Sequence, residues 1–199
     1  MFQSVFLFSL RAECALASRI RCANPADERH ARVPRFPQFV SPSTTAEQNQ
    51  EPNKTMNDQV NPITVEARIH APVAKVWTHW ITPEHIMKWN AASDDWHTPS
   101  ASNDLRIGGT FKNRMEAKDG SMGFDFAGTY TEIQTHALIA FRFGEGADTR
   151  EVKVVFEPVA DETMVRETFT PETTHPIEVQ RGGWQSILDR FKSYVEKQP

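Results

Sequence analysis

Residues 177–195 read IEVQRGGWQSILDRFKSYV, and the spacing of the apolar residues in this stretch decides the fold. Ile177, Trp184, Ile187, Leu188, Phe191, Tyr194 and Val195 share one broad face of a helix, while Arg181, Asp189, Arg190, Lys192 and Lys197 help to fill the other. Burying one large apolar side chain is worth roughly 1.5–3 kcal/mol, so a face of this size has to pack on something. The preceding sequence offers one partner, the apolar side of a sheet.

Working back from the helix, apolar residues alternate in a succession of short runs. Val165 and Phe169 mark the last, Val152, Val154 and Phe156 the one before, then Ile139, Phe141 and Phe143, then Phe124, Phe126 and Tyr130. Leu105, Ile107 and Phe111 begin the series, read as a strand from Leu105 to Met115. Asp119-Gly120, Gly144 to Gly146 and Ala160-Asp161 separate the runs as turns. Strands joined by such short connections are antiparallel, because a parallel pair needs a crossover of about a dozen residues or more.

At the front of this region Ile63, Val65, Ala67 and Ile69 alternate with Thr64, Glu66, Arg68 and His70, a strand with one buried face. Pro72 is placed to be the first helical residue, and Val73, Val76, Trp77, Trp80 and Ile81 recur at helical spacing. Thr82, Pro83 and Glu84 start a second short helix toward Trp89 with a capping hydroxyl, a preset φ and an acid at the N-terminus. The order is strand, two short helices, antiparallel meander, long final helix: an α+β domain.

The whole chain has 199 residues, 39% of them hydrophobic, and a net charge of −4. Residues 1–55 carry six Arg and one Lys against five acids, and residues 56–199 carry fifteen basic against twenty-one acidic residues, so the two parts stand at +2 and −6. An acidic domain without a basic stripe repels phosphate backbones and anionic headgroups, which excludes sequence-independent nucleic-acid binding. No apolar run approaches the ~20 residues of a membrane span, since the run from Phe2 to Leu10 ends at Arg11. Both cysteines, Cys14 and Cys22, precede the domain, which therefore has no thiol chemistry and suits a reducing cytoplasm.

Residues 1–55 read as a disordered extension, Arg-rich, then punctuated by prolines between Val33 and Pro42, then polar. They lack the basic start and long apolar core of a secretory signal. The change of composition at Met56 makes that residue a candidate natural start, with the domain occupying 56–199 and the extension not part of the natural protein.

Three segments carry a family resemblance: ITVEARIHAPVAKVWTHWITPEHIMKW at 63–89, DLRIGGTFKNRMEAKDGSMGFDFAGTYTEI at 104–133 and GGWQSILDRF at 182–191. Together they resemble the activator of Hsp90 ATPase homologue-like family, within the START-like helix-grip superfamily often labelled SRPBCC. The resemblance implies a helix-grip fold, a curved antiparallel sheet wrapped around the C-terminal helix with a cavity between them. It also implies, as functions to weigh, hydrophobic small-molecule binding, a protein-interaction or stress-response role related to Hsp90 co-chaperones, and cyclase- or hydrolase-like catalysis. In the eukaryotic co-chaperone a separate N-terminal domain carries much of the chaperone contact, and residues 1–55 are too short and too poorly patterned to be it.

Candidate cavity residues follow from the layout. On the strand ending at Met115, Phe111 and Asn113 point inward, so a polar amide falls on an apolar face. Glu167 does the same between Val165 and Phe169; burial would raise its pKa, and Glu167 and Asn113 are positioned to bind or polarise a ligand. A register slip of one residue would turn either outward, and Arg114 or Arg166 would be a ready partner for Glu167. Phe124, Phe126 and Trp184 complete the apolar lining, and Trp89, Trp96 and His97 in the stretch WNAASDDWH are placed at the cavity mouth. Gly182-Gly183 either admits a close neighbour inside the helix or marks the turn before a helix that begins at Trp184. His79, His85 and His97 lack zinc-motif spacing, and Gly108-Gly109 lacks that of a phosphate loop. No nucleophile motif is present, so no catalytic residue, metal or cofactor is expected, and oligomeric state is not readable.

Overall fold

The computed structural model describes residues 61–199. The expectations for residues 1–55 and for a start at Met56 lie outside them. The described chain runs β1 (Ile63–Ile69), α1 (Val73–Ile81), α2 (Pro83–Trp89), β2 (Trp96–Asn103), β3 (Thr110–Ala117), β4 (Gly123–Gln134), β5 (Leu138–Phe143), β6 (Arg150–Val159), β7 (Glu162–Phe169) and α3 (Ile177–Lys197). One seven-stranded antiparallel sheet has the order β1-β7-β6-β5-β4-β3-β2. It curls around α3, the helix-grip architecture.

β2 to β7 form the meander, and β1 joins its far end by pairing with β7, Val65 opposite Glu167. Both ends of the sheet are covered, with α3 against β1 and α2 against β2. An edge strand exposes unpaired backbone groups, and α3 satisfies several of those on β1. Gln185 accepts from the Glu66 amide and donates to its carbonyl, while Arg181 donates to the Thr64 carbonyl at 2.9 Å.

The long runs fold as their periodicity dictates. β1 alternates buried and exposed at every residue, and the fully buried set includes Ile63, Ile69, Val152, Val154, Phe156, Val165, Phe169, Leu188, Phe191 and Val195. Trp80 packs edge-on against Phe156 and Phe191, and Trp184 stacks on Phe169 with ring centroids 4.1 Å apart. These contacts join α1 and α3 to the sheet. Gly128 is held to its identity by a close approach, since a Cβ there would lie 2.6 Å from the Arg142 carbonyl oxygen and 2.7 Å from a ring carbon of Phe111.

Several local expectations are corrected. Leu105 to Gly109 is a turn rather than the start of a strand, tied back by the Gly109 amide to the Arg106 carbonyl, and Ile107 at its tip is 65% exposed. The strand preceding it is instead β2, whose sequence WHTPSASN has little apolar alternation. Its Pro99 falls where the register with β3 shifts between His97 and Ser100, and an edge strand tolerates proline there because no ladder bond is lost. Pro72 caps α1 and helical geometry begins at Val73. The Thr82 hydroxyl does not cap α2 but donates back to the Thr78 carbonyl at 2.7 Å. α3 begins at Ile177, so Gly182 and Gly183 lie inside it, and Ile177 is exposed in its first turn.

Candidate functional site

Between the concave face of the sheet and the helices lies a partly open hollow of about 70 Å³. Its walls are mostly aromatic and aliphatic: Trp80, Ile86 and Trp89 from α1 and α2, Phe111 and Met115 from β3, Phe126 and Tyr130 from β4, Ile139 and Phe141 from β5, and Trp184 and Ile187 from α3. Three further polar side chains line it: Asn90, Asn113 and Glu167. Each is more than nine-tenths buried.

None of the three is fully satisfied. Glu167 makes no side-chain hydrogen bond or ion pair among the described residues, and burial alone pushes its carboxyl up to about 8. The Asn113 Oδ1 and the Asn90 Nδ2 are buried with no hydrogen-bond partner. Asn90 ends α2, its amide bonded to the Ile86 carbonyl and its own carbonyl accepting from the Thr98 hydroxyl at 2.5 Å, while its buried side-chain nitrogen has no partner. Tyr130 differs, because its hydroxyl donates to Asn103 Oδ1 at 2.8 Å and Asn103 in turn donates to the Ile81 carbonyl. Burial raises the Tyr130 phenol well above its ordinary value, which keeps it a neutral donor.

The arrangements that would have made Glu167 and Asn113 ordinary are absent. Asn113 stands in unbroken register, opposite Ala101 on one side and Phe126 on the other, and Glu167 lies opposite Val65 and Val154. Neither side chain is turned outward by a bulge. The arginines in reach of a sequence argument are engaged elsewhere, on the outer face: Arg114 with Glu116 and Asp125, Arg166 with Glu66 and Glu157. Sheet order places Glu167 on β7 and Asn113 on β3 with three strands between them, and the curl of the sheet brings both to one hollow.

Of the sequence candidates, Trp89, Phe111, Asn113, Phe126, Glu167 and Trp184 line the cavity together. Trp96 and Phe124 face inward beyond one end of it, where they pack with Ala91, Met115 and Ala117 in a separate cluster. His97 does not join them. It lies opposite Glu116 in the β2 to β3 register, on the outer face, with Nε2 3.4 Å from that carboxylate. The acids of the WNAASDDWH stretch are also outside, and Asp94 is held by Arg190 of α3, which lowers its pKa. His79 and His85 stack at 4.1 Å, away from the cavity lining, with the His85 Nδ1 2.8 Å from the Tyr194 hydroxyl. Among the described residues no group of His, Cys, Asp and Glu is arranged to hold a metal ion. Nor is any helix long and apolar enough to cross a membrane.

Sequence reasoning missed Asn90, Tyr130 and Trp80 as lining residues. Trp80 and Tyr130 read only as core, and nothing separates a core aromatic from a wall aromatic before the hollow is known. Asn90 carried a faint signal, a helix-ending asparagine directly after Trp89 in a stretch already placed at the mouth.

The family model for activator of Hsp90 ATPase homolog 1-like protein matches residues 70–196. Among solved structures, the AHSA1-like protein of Aeromonas hydrophila is similar at 47% identity, covering 68% of this chain and 92% of its own with a TM-score of 0.63. A protein of Cytophaga hutchinsonii is similar at 51% identity, with the same coverages and a TM-score of 0.60. A protein of Nitrosomonas europaea shares the fold at 18% identity and a TM-score of 0.63, covering 71% of this chain and 98% of its own. Among curated proteins, none matches the chain.

Proposed function

From the premise that the chain belongs to the activator of Hsp90 ATPase homolog 1-like family, we propose that it works as a receptor for a small molecule with a largely apolar body, held between the sheet and α3. The observation that carries this reading is Glu167. A carboxyl buried without a partner opposes folding, and the domain has room to have replaced it with an apolar residue that would pack on Val65 and Val154. Two residues with an unpaired buried amide atom, Asn90 and Asn113, line the same hollow. A ligand that meets them supports the arrangement. Native mass spectrometry of the protein purified from its own host tests the proposal. A mass increment that survives purification is expected. A uniformly bare protein that also gains no thermal stability from a panel of apolar ligands overturns it.

The same carboxyl favours a second reading, in which Glu167 exchanges a proton with the bound molecule, because a carboxyl near neutral pKa is matched to general acid and base work. Turnover of an identified ligand, abolished by Glu167→Gln with the fold intact, is the expected result, and retained turnover excludes it. A protein partner is a separate proposal that rests on the co-chaperone relationship in the family's name. No change in the ATPase rate of the host Hsp90 at saturating protein removes that branch. A cytoplasmic setting accords with a domain lacking cysteine.

A further inference from the structure

We infer that the ligand is an organic cation, an amine whose protonated head sits against Glu167 and whose apolar body lies among the aromatic side chains of the helices. The inference rests on the cavity reading above and narrows it to one chemical class.

Among the described residues lining the hollow there is one acid, Glu167, and no Lys, Arg or His. A carboxylate or phosphate ligand, a fatty acid included, would find no cation in the lining, and its charge would be buried without an opposite one. A cation, by contrast, finds in Glu167 a group that can ionise to match it, so the lining favours cations over anions.

Hydrogen bonding divides cations from neutral molecules. Once ionised, Glu167 is an acceptor without a donor, as is the buried Asn113 oxygen, and the buried Asn90 nitrogen also lacks a partner among the described residues. A hydroxyl brings one donor, whereas an ammonium brings three together with the charge that a carboxylate needs. The walls suit a cation as well. Trp80 and Trp89 lie with ring centroids 5.2 Å apart, and Trp184 and Phe126 6.3 Å apart, and the faces of such rings attract an ammonium more strongly once water is excluded.

Binding then moves a proton. In the empty cavity near neutral pH the Glu167 carboxyl holds its proton, because burial raises its pKa. The ammonium arrives already protonated from solution, the carboxyl O–H releases its proton to the buffer, and a carboxylate–ammonium pair is left. The other titratable group in the lining is Tyr130, whose phenol is raised and donates to Asn103; it holds its proton throughout. Affinity for an amine should thus rise with pH up to about 8 and level off, falling again only as the amine itself deprotonates, near the range of ~10 typical of alkylammonium groups.

Isothermal titration calorimetry on the full chain with tryptamine, tryptophol and indoleacetate tests this, since the three share one body and differ in an ammonium, a hydroxyl or a carboxylate. Tryptamine is expected to bind at least about tenfold tighter at pH 8 than at pH 6, with about one proton released at pH 6 and about half a proton at pH 8. Tryptophol should bind more weakly without pH dependence, and indoleacetate not at all. Glu167→Gln should bring tryptamine down to the level of tryptophol and abolish the pH dependence of tryptamine binding. Tryptophol binding as tightly as tryptamine, or a Gln variant that keeps the amine preference, overturns the amine assignment while the cavity reading stands. Binding of none of the three also overturns it, and the native mass spectrum then decides the cavity reading by itself.

Discussion

Glu167→Gln should stabilise the empty protein, and by an amount that depends on pH in a way that identifies the cause. The carboxyl titrates at about 8 in the folded domain, against 4.5 for the same group free in the unfolded chain. Between those values the unfolded chain has released the proton and the folded one retains it, so stability falls as pH rises through this window. Below pH 4.5 both states are protonated and nothing is lost; above 8 both are ionised and the loss is complete. At 1.36 kcal/mol per pKa unit the full loss is about 5 kcal/mol, and about 3 kcal/mol is already present at pH 7.

Gln has nearly the shape of the protonated acid and does not titrate, so the variant escapes this loss. Urea unfolding followed by tryptophan fluorescence is the assay, since all five Trp lie between residues 77 and 184. The two proteins should unfold at similar urea concentrations near pH 4.5 and separate steadily toward pH 8, the variant being more stable by about 3 kcal/mol at pH 7. Other groups shift both curves together and cancel in the difference. Curves that run parallel from pH 5 to 8 would mean that Glu167 ionises as easily when folded as when unfolded, and the argument for an unpaired carboxyl would fail.

Two glycine substitutions should act in opposite directions. Gly182→Ala, inside α3 with open space where the Cβ would go, should raise stability by about 1 kcal/mol, read as a higher melting temperature. Gly128→Ala drives a methyl group into the Phe111 ring and the Arg142 carbonyl and should lower it by about 1–3 kcal/mol in the same melt. Phe191→Ala removes a fully buried ring that both Trp80 and Trp89 pack against, with an expected loss of about 3–5 kcal/mol in chemical unfolding. Asn113→Leu deletes an unpaired buried oxygen and should leave stability equal or higher by about 1 kcal/mol while weakening any retained ligand in the native mass spectrum; a large loss of stability would show that Asn113 serves the fold.

The elements that sequence reading recovered are those whose side chains must alternate or recur to be buried. β1, β5, β6, β7 and α3 each carry an apolar set with a period that admits one reading. β2 escaped because its stability comes from backbone pairing with β3 and cover from α2 rather than from an apolar face of its own. Ile107 misled for the opposite reason: it continues the alternation of Leu105 into a tight turn, where period two carries no information about burial. Among the site candidates, Asn113 and Glu167 were legible because a polar residue at an inward position breaks a pattern. His97 was drawn in by neighbouring tryptophans, although adjacency to Trp96 in a strand places it on the opposite face.

What neither periodicity nor composition supplies is whether an inward polar residue finds a partner, since that depends on strands far apart in sequence. Arg166 adjoins Glu167 in the chain, yet the pleat sends its guanidinium outward to Glu66 and Glu157. An arginine at either position next to Glu167 on β7 would be sent the same way, so a neutralising residue would have to stand at another inward position, two residues along β7 or on another element. The residues that do face it across the hollow are aromatic, aliphatic or amide. The fold thus confines one ionisable acid among walls that present no countercharge, and burial there keeps that acid protonated near neutral pH.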